Sequence, residues 1–293
     1  MSQKKLRLIY NPFAGRRRLA GELDDVIRIF QEGGYEVCIH RTESPKDIEQ
    51  TAAQSQDVDT LVIAGGDGSV HQAVNGLMKI DEQKRPVLGI LPVGTANDLA
   101  YALKLPKARA EACKVINRDK ILEMDLGMVN ERYFVNVASA GLLTDVSPLV
   151  DIHMKNSLGQ LAYYLKGLET LPSFRPFHVE FEHDGHLYSE DALLILAVNG
   201  LSVGGFKQLV PMASLSDGKL DFLIVKLSGW PETMRLLLKA VGRGKMKSEK
   251  VVQFQTEYLR ITCDRESSSD LDGEWGPNSP WEIKVGPKIK VLC

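Results

Sequence analysis

The chain reads as an α/β plus all-β protein: a doubly wound, mainly parallel sheet with helices over residues 1–120, then an antiparallel β-sandwich domain over 121–293. Three features predict this. Apolar runs of strand length alternate with helical periodicity as far as residue 117, an alternation that a mainly parallel sheet satisfies. From residue 121 short strands follow one another closely, with turn signals between them. The 293 residues, 44% hydrophobic and 25% charged, suffice for two globular domains, each with its own core.

Residues 5–10 form the first expected strand, and Asn11-Pro12-Phe13-Ala14-Gly15 turns the chain into an amphipathic helix with Leu23, Val26, Ile27 and Phe30 on one face. Gly33-Gly34 stops that helix. Asn11, Pro12 and Gly15 are candidates for shaping a nucleotide loop, whereas Arg16, Arg17 and Arg18 fit a solvated surface as well as phosphate contact. Residues 35–42 make the next strand, with Thr42 at its carboxyl end. Ser44-Pro45 then supplies an N-cap and first-turn proline for a helix through about residue 56.

The third unit runs from an apolar strand at 60–64 into Gly65-Gly66-Asp67-Gly68-Ser69 and directly into a helical pattern of Val70, Ala73, Val74 and Leu77. Glycines let a ligand approach the backbone, and the helix start offers unpaired N–H groups and a positive dipole end to an anion. Asp67 then reads either as a carboxylate beside phosphates, holding a divalent cation directly or through water, or as a helix cap. A fourth unit repeats the plan with a strand at 87–91, the turn Pro92-Val93-Gly94-Thr95-Ala96-Asn97-Asp98, and a helix carrying Leu99, Ala102 and Leu103. Two such turns should lie side by side at the carboxyl ends of neighbouring parallel strands, where α/β sheets bind ligands. Pro106-Lys107 opens one more helix, ending near Asn117.

In the second half, strands are expected over 121–129, 133–138, 177–181, 187–198, 220–227, 250–263 and 281–291, with His183-Asp184-Gly185 as a hairpin turn. Helical inserts over 159–168 and 231–241 carry Leu and Tyr stripes that suit a core or a membrane-facing surface. Asn199-Gly200 and Gly204-Gly205 mark a flexible loop. The bend around Ser214, Asp217 and Lys219 combines one carboxylate with several carbonyls, which suits Mg²⁺ as well as a simple Asp-Gly turn. Asp270, Asp272 and Glu274 put three carboxylates in one acidic loop, and one of them could serve as a base.

Several classes are excluded. A net charge of −2 leaves no footprint for nucleic acid. No apolar run is long enough to span a membrane and no signal-peptide core opens the chain, so a cytoplasmic protein without a transmembrane segment is expected. Cys38, Cys113, Cys263 and Cys293 lack metal spacing. His178, His183 and His186 have no cysteine nearby and no catalytic partner spacing, which argues against zinc, and there is no G-x-S-x-G for a serine hydrolase.

Taken together, Asn11-Pro12-x-x-Gly15, Gly65-Gly66-Asp67-Gly68-Ser69, Leu91-Pro92-x-Gly94-Thr95-Ala96-Asn97-Asp98, Asn199-Gly200, Asp217-Gly218 and Asp272-Gly273-Glu274 resemble the diacylglycerol kinase catalytic-domain family in its short bacterial form. The resemblance covers nearly the whole chain. The glycine turn alone also occurs in NAD kinases and 6-phosphofructokinases; its combination with the second turn and the late D-G-E is what is specific.

The resemblance implies an NAD kinase/diacylglycerol kinase-like fold, with ATP bound between the two domains and its γ-phosphate transferred to a lipid hydroxyl. Diacylglycerol, giving phosphatidic acid, is the first expectation. A sphingoid base, phosphatidylglycerol or NAD as acceptor, and a non-catalytic nucleotide-binding regulator, stay open. By motif, nucleotide contacts fall to Asn11, Pro12, Gly15, Thr42, Gly65, Gly66, Asp67, Gly68, Ser69, Val70, His71, Gly94, Thr95 and Asn97. Asp67 and Asp98 would organise Mg²⁺ and phosphates, Glu274 would be the general base, and a structural Mg²⁺ would sit on the Ser214 and Lys219 carbonyls and the Asp217 carboxylate. The lipid would be met by transient contact with the membrane, and exposed strand edges could pair into a homodimer. Four departures stand out: Ser69 for a commoner Thr, His71-Gln72 for Asn-Glu, Ala14 for Ser, and Leu142-Leu143-Thr144 for an aromatic-acidic stretch.

Overall fold

The computed structural model describes residues 3–12, 19, 21–44, 46–141, 176–203, 206–207, 213–226 and 249–293. The first elements are β1 (Lys4–Tyr10), α1 (Leu23–Glu32), β2 (Tyr35–Arg41), α2 (Asp47–Ala53), β3 (Thr60–Gly65), α3 (Asp67–Leu77), β4 (Val87–Pro92), α4 (Asp98–Ala102), α5 (Arg109–Ile116) and β5 (Ile121–Met124). Then come β6 (Gly127–Val129), β7 (Arg132–Phe134), β8 (Val137–Gly141), β9 (Phe177–His183), β10 (His186–Val198), β11 (Ser202–Val203), β12 (Phe206–Lys207) and β13 (Leu220–Lys226). The chain closes with β14 (Val251–Thr256), β15 (Tyr258–Cys263), β16 (Ser268–Leu271), β17 (Glu274–Asn278), β18 (Trp281–Val285) and β19 (Ile289–Leu292). The helices expected over 159–168 and 231–241, with Gly15, Arg16 to Arg18, Gly204-Gly205 and residues 142–144, lie outside the described residues.

Residues 1–124 and 287–293 make one compact unit. Its sheet runs β2-β1-β3-β4-β19-β5, parallel throughout except where β19 meets β5. Every residue of β3 is buried, as a central strand covered on both faces must be. Val26, Ile29 and Phe30 of α1 and Cys113 and Ile116 of α5 pack with Leu6, Leu8, Val62 and Leu91 into one core. Burial pushes the Cys113 thiol up to about 12, which makes it a packing residue rather than a reactive one. The helix after Thr42 runs from Asp47, whose carboxylate accepts the Glu43 N–H at 2.8 Å; the expected first-turn Pro45 lies outside the described residues.

The expected boundary at residue 120 is corrected by the end of the chain. Ile289, Val291 and Leu292 are buried where β19 joins the first unit's sheet beside β5, so the second unit is 125–286 rather than 121–293.

Among its described residues that second unit holds an antiparallel sheet of eleven strands. Its main path is β17-β16-β8-β10-β9-β15-β18-β6-β7, with β13 beside β10 and β14 beside β13. Phe134, Phe177, Phe181, Phe222, Leu259 and Trp281 lie in its core. Phe177 meets Trp281 edge to face at 6.4 Å, and the buried indole donates to the Pro277 carbonyl at 3.0 Å, which satisfies its one polar atom. The turn at Asp184-Gly185 has positive φ at both residues, 51° and 74°, the mirror-image turn that short hairpins prefer.

Four expected strands are each broken in two, and two of the breaks have clear causes. Between β5 and β6, Asp125 is 1% exposed; its N–H donates to the Leu215 carbonyl and its carboxylate accepts the Gly218 N–H, both at 2.7 Å. Between β7 and β8, the N–H groups of Val135 and Asn136 leave the ladder for the Asp272 carboxylate. Residues 250–263 divide at Glu257, and 281–291 divide at 286–288, where the chain passes back to the first unit. No helix among the described residues is long and apolar enough to cross a membrane.

Candidate active site

In the first unit four neighbouring strands end at one edge of the sheet. The Thr42 N–H donates to the Tyr10 carbonyl at 3.0 Å and the Asn11 N–H to the Ala64 carbonyl at 3.4 Å. The N–H groups of Val93 and Gly94 both reach the Gly65 carbonyl, at 3.0 and 3.2 Å. Asn11, Thr42, the Gly65 turn and the Gly94 turn are thereby gathered, with Pro12 next to Asn11. The two glycine turns touch backbone to backbone: a Cβ on Gly66 would lie 3.2 Å from Gly94 Cα, and one on Gly94 would overlap Gly66 Cα and approach Asn97 Oδ1 to 2.9 Å. Gly94→Ala should therefore push the turns apart and cost about 1–3 kcal/mol of stability, the usual range for overpacking. Urea unfolding checks this, with Gly21→Ala as control because its Cβ would meet nothing within 4 Å.

Asp67 joins the two turns. One carboxylate oxygen accepts the Asn97 N–H at 2.9 Å and the other the Asp98 N–H at 2.6 Å, so Asp67 occupies the start of α4. Asn97 adopts φ 53° there and donates from Nδ2 to the Gly94 carbonyl at 2.7 Å. The two turns thus lie side by side, as the sequence predicts, and are tied together through the Asp67 carboxylate and the Gly65 carbonyl. At α3 the first closing bond is Val70 N–H to the Gly66 carbonyl at 3.1 Å, which leaves the N–H groups of Asp67, Gly68 and Ser69 ahead of it.

Exposure divides the remaining expected residues. Thr95 is exposed, whereas Asp98 is 4% exposed behind Asp67. Val70 and His71 are buried within α3, and the His71 ring lies 3.3 Å from the Asn75 amide nitrogen. Both side chains face inward, which leaves their backbone as the part of the expected loop at the start of α3.

In the second unit, Asp270, Asp272 and Glu274 belong to a hairpin rather than to a loop. Asp272 and Gly273 form its turn at φ 55° and 93°, conformations that suit Asp and Gly. Asp272 accepts three successive N–H groups, from Val135, Asn136 and Val137, at 2.6, 2.8 and 3.0 Å. Asp270 accepts the Gly273 N–H at 2.8 Å and is buried. Glu274 is the exposed carboxylate of the three.

The bend around Ser214, Asp217 and Lys219 is held by Asp217 Oδ1, which accepts the Lys219 N–H at 3.1 Å, and by the Asp125 bonds already described. Burial raises the Asp221 pKa against a hydrogen bond from Gln255 that lowers it, and the Asp217 charge raises it further. Among the described residues no three His, Cys, Asp or Glu are grouped to hold a metal ion, so a cation at this bend would draw on carbonyl oxygens and water. Carbonyl oxygens with the single Asp217 carboxylate are the hard donors that suit such a cation. Asp125 was missed from the sequence; its signal was an acid between Met124 and Leu126 in the strand-like run 121–129, since a buried carboxylate must find donors.

His178 sits between Asp191 at 2.9 Å and Ser189 at 2.8 Å on an exposed stretch of β9 and β10. The Asp191 hydrogen bond raises its pKa. His183 stacks on Phe254 with ring centroids 4.0 Å apart.

The family model of the diacylglycerol kinase catalytic domain matches residues 5–129, and that of the YegS C-terminal NAD kinase beta sandwich-like domain matches residues 136–293. A diacylglycerol kinase of Bacillus subtilis (strain 168) is 37% identical over 96% of this chain and 93% of its own length. One from Staphylococcus haemolyticus (strain JCSC1435) is 35% identical over 95% and 84%. The crystal structure of a diacylglycerol kinase from Bacillus anthracis str. Sterne shares the fold with a TM-score of 0.80 at 24% identity, covering 100% of this chain and 97% of that one. Another solved chain from that organism reaches 0.85 at 27% identity, covering 100% and 96%.

Proposed function

The chain belongs to the diacylglycerol kinase family and is an ATP-dependent lipid kinase, and on that premise we propose diacylglycerol as its acceptor and phosphatidic acid as its product. Supporting this is the crossing of the two glycine turns, where the N–H groups opening α3 stand beside the Asp67 carboxylate at the carboxyl ends of β1 to β4. Such an edge suits a triphosphate held by backbone donors. In our assignment Asn11, Pro12, Gly15, Thr42, Gly65, Gly66, Gly68, Ser69, Gly94, Thr95 and Asn97 bind and orient the nucleotide. Asp67 and Asp98 would hold Mg²⁺ with it, and the carbonyls of Ser214 and Lys219 with the Asp217 carboxylate would hold a second, structural ion. Bound Mg²⁺ neutralises charge that develops on the phosphates. Glu274 accepts the proton of the attacking hydroxyl, because it is the carboxylate of its hairpin whose exposure leaves it open to an acceptor.

A diacylglycerol acceptor sets the reaction at a membrane surface, which we place on the cytoplasmic side with transient contact. The edge strands β7 and β17 offer ladders for a homodimer. The decisive test is incubation of the purified protein with γ-labelled ATP, Mg²⁺ and a total lipid extract, with NAD in a parallel reaction. Label in phosphatidic acid is expected. Label only in a sphingoid base, phosphatidylglycerol or NAD overturns the acceptor, and saturable ATP binding without any labelled product overturns the kinase.

A further inference from the structure

The base proposed above stands on an edge strand, so something must fix where that strand begins. β17 pairs only with β16 among the described strands, and Glu274 is its first residue. The turn before it is held from two sides. On one side the Asp272 carboxylate gathers the N–H groups of Val135, Asn136 and Val137, and the Asp272 N–H returns a bond to the Val137 carbonyl at 3.0 Å. On the other, Asp270 accepts the Gly273 N–H. Three successive N–H groups turned toward one anion form a concave donor nest; two of them, from Val135 and Asn136, lie between β7 and β8, and the third opens β8 at Val137.

We propose that Asp272 is the positioning residue for Glu274: its grip on the 135–137 backbone sets the hairpin tip, and with it the place from which the Glu274 carboxylate meets the acceptor hydroxyl. Asp270 supports the same turn from within. Proton transfer needs donor and acceptor within about 2.6–3.2 Å, and a glutamate on an unanchored hairpin tip would sample a far wider range. Asp272 Oδ1 accepts two backbone N–H groups and Oδ2 one, which ties that carboxylate to 135–137, whereas Glu274 is exposed. The proposal rests on Glu274 being the base.

A double-mutant cycle tests it. Asp272→Asn keeps the size of the side chain but turns an amide toward donors that need an acceptor. With a short-chain diacylglycerol in mixed micelles, Asp272→Asn should lower kcat by about 10-fold or more with KM for ATP unchanged, and in a Glu274→Gln background by less than about twofold, since a residue acting through Glu274 has nothing left to position. Equal fold-losses in the two backgrounds, or wild-type kcat in the single variant, overturn the proposal. If Asp272→Asn fails to fold, Asp270→Asn, which weakens one bond to the turn, is read by the same cycle and judged by the same outcomes. Wild-type kcat for Glu274→Gln alone instead shows that the base assignment is wrong, and overturns both.

Discussion

Glu274→Gln should lower kcat for diacylglycerol phosphorylation by about 10²-fold or more, the usual scale for loss of a general base, while ATP affinity and melting temperature stay at wild-type values. Gln has nearly the same shape and can still accept a hydrogen bond, but it cannot take up the proton of the attacking hydroxyl. Stability should not move, because the exposed Glu274 side chain lies outside the hydrophobic core and its backbone pairing with Leu271 is retained. Kinetics in mixed micelles, ATP titration and thermal unfolding separate these effects. Turnover at the wild-type rate would remove Glu274 from the mechanism.

The second large effect is expected for Asp67→Ala, where two losses should appear together. The carboxylate holds the N–H groups of both Asn97 and Asp98, so its removal strips the start of α4 of its acceptors. Bonds to a charged group are worth more than neutral ones, and a stability loss of about 2 kcal/mol is expected. In addition, Mg²⁺-dependent turnover should disappear. Urea unfolding gives the first quantity and a Mg²⁺ titration of kinase activity the second. A variant that loses stability yet keeps its Mg²⁺-dependent rate would show that Asp67 is a cap only. Both roles are compatible in one carboxylate, since each oxygen accepts one N–H and keeps a further lone pair.

These two residues also mark where reading the chain stops being sufficient. Asp67 could be read as a phosphate-side carboxylate or as a cap, and the cap it makes belongs to a helix thirty residues on, reached only because Gly65 and Gly94 share a hydrogen bond. Glu274 was one of three acids in a row of like residues. Spacing and composition do not rank them, and only the family resemblance pointed to Glu274; the structure adds that Asp270 and Asp272 are bound to backbone donors, three of them more than 130 residues away. The Asp272-Gly273 pair was the same hairpin signal as Asp184-Gly185, yet the polar run Ser267-Ser268-Ser269 before it hid the strand.

By itself the sequence determined the parallel βα units of the first half, the two glycine turns, the antiparallel class of the second half and the family, because period, turn chemistry and motif order are local properties of the chain. The tertiary structure alone decided that β19 completes the first sheet, that four expected strands break, that Val70 and His71 face inward, and which acids are already bound. Each of these depends on what a residue meets across a long stretch of chain, where a buried acid or an unpaired N–H must find its partner whatever the local pattern favours.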